Sequence, residues 1–142
     1  MPFFAFSIDT PRETTRSDKQ KTKIKLCPGI IHRVVVRIPP GSRGTLHVFV
    51  SHHLHQIVPC SSGEDFHGDD MHIDYREFYP LRGLDTQLDV YTWNTSTEHD
   101  HEVILMFGVL PEWVLMPFMK PPEVFNAVGL GFEEIEIGDL ND

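Results

Sequence analysis

Short alternating, β-branched runs recur every ten or so positions between residues 23 and 110, each closed by a turn signal. That spacing limits the fold more than any other feature. "TKIKL" stops at Pro28-Gly29, and "IIHRVVVRIP" ends in "PPGSRG". Such β-branched segments bounded by Pro and Gly read as strands and tight turns. "TLHVFVS" places Leu46, Val48 and Val50 on one face and His47, Phe49 and Ser51 on the other, and "HLHQIVP" reads as its continuation past a bend near His52. "MHIDYREF" alternates from Met71 through Ile73 and Tyr75. "TQLDVYTWN" sets Leu88, Val90 and Thr92 against Asp89, Tyr91 and Trp93. The near-continuous apolar run in "HEVILMFGVLP" predicts a central strand buried on both faces. No helical period of comparable strength competes. The expectation is one all-β domain, a single antiparallel β-sandwich of jelly-roll-like form.

The chain reads as three zones. Residues 1–22 open with Phe3, Phe4 and Phe6, continue as a polar stretch, and predict an extended N-terminal arm. Residues 23–110 are the sandwich core. Residues 111–142 form a tail, both apolar and acidic, that carries Trp113, Leu115, Phe118 and Phe125, while Pro111, Pro117, Pro121 and Pro122 oppose a long helix or a central strand. Apolar side chains without regular structure still have to be buried. The tail therefore either wraps its own sandwich or docks on a neighbouring subunit.

Charge narrows the function classes. A net charge of −9 opposes broad nucleic-acid binding, which needs a basic surface. The charge is uneven: residues 1–25 hold six Lys or Arg against three acids, and residues 111–142 hold seven acids against Lys120. Head and tail either pair between copies or are solvated ends. No run approaches the length of a membrane helix, and "MPFFAFSIDT" lacks the positive flank of a secretory leader, so the mature chain is expected to begin there. Cys27 and Cys60 form no CxxC motif and are expected to stay free thiols.

Nine histidines raise the question of a metal. On a strand, His53 and His55 share a face, as do His99 and His101, and a ligand from an adjacent strand could complete a site. The cupin metalloenzymes use such a His-x-His. Here, however, the first acid after His55 is Glu64, too late for that pattern, no glycine stands five positions before His53, and "PPGSRG" precedes the histidines where the cupin order puts it after them. The reading is of half-exposed strand positions that offer hydrogen bonds, with no metal and no cofactor. GxSxG, HExxH and phosphate-cradling glycine loops are absent from the sequence, and no catalytic residue is assigned. Tyr91 and Trp93 share a strand face and could instead stack on a sugar ring.

The core resembles small phage-encoded proteins that share a glycine-led strand, a Pro-Gly turn, Gln-x-x-Pro, and a late Trp-Asn succeeded by His and an apolar strand. The matching residues are Gly29, Pro40-Gly41, Gln56 with Pro59, Trp93-Asn94 and His101, within residues 29–111. These proteins are similar to auxiliary or decoration proteins of tailed-phage capsids. The resemblance implies a non-enzymatic structural virion protein on the capsid surface, made in the host cytoplasm. It implies a homo-oligomer, a trimer by preference, with the major capsid protein or other virion subunits as partners and neither nucleic acid nor membrane. Independently of it, apolar arms flanking a rigid sandwich suit the bridging of neighbouring subunits, with Phe3, Phe4, Phe6, Trp113, Leu115, Phe118 and Phe125 as anchors. The alternatives are a carbohydrate- or receptor-binding virion module and a cupin-like metal-dependent enzyme.

Overall fold

The computed structural model describes residues 2–115, so Phe118 and Phe125 lie outside the described residues. Nine strands run in order: β1 (Phe3–Thr10), β2 (Gln20–Lys25), β3 (Gly29–Ile38), β4 (Leu46–His52), β5 (His55–Val58), β6 (Phe66–His67), β7 (Met71–Leu81), β8 (Gln87–Asn94) and β9 (His101–Leu110). A 3-10 turn at Arg16–Asp18 links β1 to β2. The chain divides after Leu110, and a helical turn, α1 (Glu112–Leu115), belongs to the second unit.

Two antiparallel sheets pack face to face. One runs β1-β9-β3-β7 and the other β2-β8-β4-β5, with the two-residue β6 added to β4. Leaving β6 aside, the first strand pairs with the last (β1 with β9), the second with the seventh (β2 with β8), the third with the sixth (β3 with β7) and the fourth with the fifth. That nested pairing is the jelly-roll order, so the expected all-β sandwich is what the chain forms.

Alternation explains the core. Ile8, Val34, Val36, Val103, Leu105 and Phe107 point inward from the first sheet and meet Ile24, Leu46, Val48, Val50, Leu88 and Val90 from the second. Burying such a side chain fully stabilises by about 1.5–3 kcal/mol. Thr10 and Thr92, both without solvent exposure, satisfy each other across the sheets through a 2.9 Å hydroxyl hydrogen bond.

Several elements differ from the sequence expectation. Residues 3–10 are not an extended arm. They form an edge strand in register with β9, Phe4 opposite Phe107 and Ile8 opposite Val103. β9 is central, but on its outer side only Gly108 is buried: Ile104 and Met106 are half-buried there. The segment after His52 does not continue β4. It turns back through His53 and Leu54, pairing His52 with His55. β7 runs on to Leu81 and tolerates Pro80 because it is an edge strand, where a missing N–H breaks no ladder.

Candidate functional site

The interior holds aliphatic and aromatic side chains, and the groups able to do chemistry stand outside it. On the outer face of the second sheet, cross-strand pairing sets His67, His47 and Trp93 side by side over β6, β4 and β8. The His47 ring lies flat on Trp93 at 4.9 Å and beside His67 at 4.8 Å. The Asp65 carboxylate brings both imidazoles to one oxygen, 2.7 Å from His47 Nδ1 and 2.9 Å from His67 Nδ1. Arg16 lies 5.5 Å from the centre of the Trp93 ring and donates to the Gly63 carbonyl at 2.9 Å. Trp93 is 4% exposed, so its ring is not offered to a sugar. Tyr91 stacks on Phe49 at 4.9 Å beneath Lys19. It lines an open cleft of about 500 Å³ together with Lys19, Phe49, His53, His55 and Gln56.

A second cluster sits where the β4–β5 hairpin meets the β7–β8 loop. His53 occupies the first position of the two-residue turn with φ of 59, a left-handed conformation uncommon outside glycine but enriched in histidine. The turn swings His53 Nε2 to 2.7 Å from Asp85 Oδ1, and His52 Nε2 lies 3.1 Å from the same oxygen. The two rings stack at 4.6 Å. Tyr79 Oη holds the other nitrogen of His52, Nδ1, at 2.6 Å. The His52 contact to Asp85, with that of His53 behind it, holds the Asp85 carboxyl below its ordinary pKa despite a smaller opposing effect of burial. Burial, with the Asp85 charge second, pushes the Tyr79 phenol up, so it stays protonated at neutral pH. His53 and His55 do not share a strand face, because the turn at His53-Leu54 lies between them. Asp85 and Tyr79 carried no local sequence signal, and Asp65 signalled only as half of the acidic pair Glu64-Asp65 in a glycine-flanked loop. They become neighbours only through hairpin reversal and strand pairing.

The outer face of the first sheet is different in kind. Register places Ala5, Met106, Val35 and Asp74 in one cross-strand row and Ser7, Ile104, Arg37 and His72 in the next. Val35 is buried, Ile104 and Met106 are half-exposed, and Phe3 is 50% exposed. Gly108 lies beneath Phe3 and His32, where an added Cβ would stand 2.8 Å from His32 Nε2. On the β7 side Arg33 forms a two-bond ion pair with Asp74 at 2.6 and 3.0 Å, and Arg37 pairs with Asp70 at 2.8 Å.

Of the expected anchors, Phe3 alone in β1 points outward. Phe4 and Phe6 are half-buried against the domain's own core, Phe6 being 6.4 Å from Phe107. Trp113 and Leu115 lie in α1. The residues that carry the phage-protein resemblance hold the fold. Gly29 takes φ of 146 with the Leu110 carbonyl 2.7 Å from where a Cβ would stand. The Gln56 amide nitrogen reaches the carbonyls of Pro59, Ser61 and Glu64 at 2.7, 3.1 and 2.9 Å, organising that loop. Asn94, fully buried, donates to His99 O and accepts from Ser96 N, each at 3.0 Å. Cys27 and Cys60 are free thiols. No protein-family model matches the chain, and no curated protein matches its sequence.

Proposed function

We propose that this protein is a non-enzymatic structural protein of the capsid decoration or cement type, which reinforces a phage shell by packing against neighbouring subunits. The observation that carries this reading is the outer face of the first sheet, where Phe3, Ala5, Ile104 and Met106 leave apolar surface uncovered around a buried Val35, with ion pairs along the β7 side. Solvent-facing positions in the middle of a sheet are usually polar. An apolar strip with a charged rim is the composition of a protein–protein contact. The occupant we assign to it is another copy of this chain, its neighbour on the shell. The jelly-roll order supports the reading only in part, since capsid proteins, lectins and cupins share it. Weak contacts of this kind suffice for a shell, because many copies act together.

The cupin-like alternative loses ground because its ligands would have to line the interior, which is filled by aliphatic side chains. A small-ligand module keeps one supporting observation, the cleft beside Tyr91, although Trp93 is covered. The test is native mass spectrometry of the full-length chain beside Met106→Glu and Ile104→Lys. A symmetric oligomer that both variants dissociate, with circular dichroism unchanged, is the expected result. A monomeric parent protein, or an oligomer indifferent to both changes, would overturn the assignment of this face.

A further inference from the structure

The cluster at the hairpin has an unmet requirement. His52 Nε2 is buried and, despite the carboxylate oxygen 3.1 Å away, makes no hydrogen bond of acceptable geometry. Two arrangements of its proton are available. If the Tyr79 hydroxyl donates to Nδ1, a neutral His52 carries its proton on Nε2 without a well-placed acceptor. If Nδ1 donates to Tyr79, Nε2 presents a lone pair toward an ionised carboxylate. Either way the buried nitrogen lacks a partner, which is unfavourable for a desolvated polar atom. A cation held among Nε2 of His52, Nε2 of His53 and Oδ1 of Asp85 removes the conflict in the second arrangement.

We propose that His52, His53 and Asp85 bind a divalent transition metal ion of the zinc class. Their ligand atoms all lie within 4.8 Å of one another. Tetrahedral zinc with bonds near 2.0–2.1 Å wants its ligands about 3.3 Å apart. The separations of 2.7 and 3.1 Å to Asp85 therefore need to open by about 0.6 and 0.2 Å, while the widest separation, within 4.8 Å, has to close. The mobile partners can supply that: the His53 side chain is 69% exposed and that of Asp85 50%, whereas His52 is 11% exposed. Tyr79 supplies what ligating histidines generally have, a hydrogen bond to the second ring nitrogen that fixes the tautomer and the ring plane. Two imidazoles and one carboxylate favour zinc, cobalt, nickel or copper over magnesium or calcium, which prefer all-oxygen sets. Three protein ligands leave the fourth position to water on the exposed side. Such an ion would tie the β4–β5 hairpin to the β7–β8 loop. None of its three ligands belongs to the apolar strip formed by Phe3, Ala5, Ile104 and Met106.

The experiment uses the tag-free, full-length protein, stripped with chelator and titrated with Zn2+ by calorimetry and with Co2+ by absorption spectroscopy. The expected result is one ion per chain, a tetrahedral Co2+ spectrum, and affinity weakened at least 100-fold in both His53→Gln and Asp85→Asn. Both substitutions fall on exposed positions, so the variants should fold, and circular dichroism checks that they do. His47→Gln, in the His47–Asp65–His67 cluster, should bind as the parent does. Absence of saturable Zn2+ binding would overturn the proposal, and so would affinity lost in His47→Gln but kept in His53→Gln and Asp85→Asn.

Discussion

The two outer faces of this sandwich are built from the same alternating strands, yet they solve opposite problems. Over the second sheet, each large side chain is already engaged within the domain: His47 lies on Trp93, Asp65 joins His47 to His67, and Phe49 stacks on Tyr91. Over the first sheet, Met106 stands half-buried between Ala5 and Val35 and Ile104 between Ser7 and Arg37, with the ion pairs set off to one side. A face that satisfies its own groups has little to gain from a partner. A face that leaves apolar area in water gains about 25 cal/mol for each Å² covered. The contrast is between a face whose aromatic and polar groups engage one another and a face that leaves apolar area uncovered.

Truncation should expose the difference in order of size. Phe107→Ala, at a fully buried position beneath both faces, should cost about 3–5 kcal/mol in urea unfolding. Trp93→Ala should cost nearly as much, about 3 kcal/mol, although it belongs to an outer face, because its ring is covered there. Met106→Ala, the matching outer-face change on the first sheet, should cost the isolated chain about 1 kcal/mol or less while weakening association. Equal losses of monomer stability for Trp93 and Met106 would erase the distinction between the faces. Arg33→Ala, which removes an exposed ion pair, should leave the urea midpoint almost unchanged.

The smallest effect concerns acid. The Arg33 hydrogen bond holds the Asp74 carboxyl below its ordinary value, and the backbone N–H of Arg12 does the same for Asp100. Asp69 is lowered by the backbone N–H groups of Arg43 and Gly41. Depressed carboxyls mean that the unfolded chain takes up protons first as pH falls. Their contribution is therefore complete above the ordinary carboxylate pKa of about 4 and disappears as pH drops through the lower folded values. Thermal unfolding monitored across the acid range should show the decline beginning below about pH 4, and Asp74→Asn should make it shallower.

Much of this architecture was legible in the sequence because burial on one side of a strand writes a period of two. Leu88, Val90 and Thr92 face inward as their spacing indicates, and the turn at Pro39-Pro40-Gly41 falls between β3 and β4. β1 escaped because Phe3 on its outer side and Thr10 on its inner side blur an alternation that Phe4, Phe6 and Ile8 do keep. The hairpin at His53-Leu54 escaped because neither residue is a usual turn former. Asp85, the carboxylate that His53 meets, lies 32 residues away in the chain. Spacing reports what one strand presents to one face. It does not report which loop a hairpin tip will meet.

The most direct single measurement is the mass of the native full-length protein with and without Met106→Glu. If the first sheet presents the contact face, the parent runs as a symmetric oligomer and the folded variant as a monomer. If both are monomers, or both keep the same oligomer, that face is not where this protein meets its neighbours.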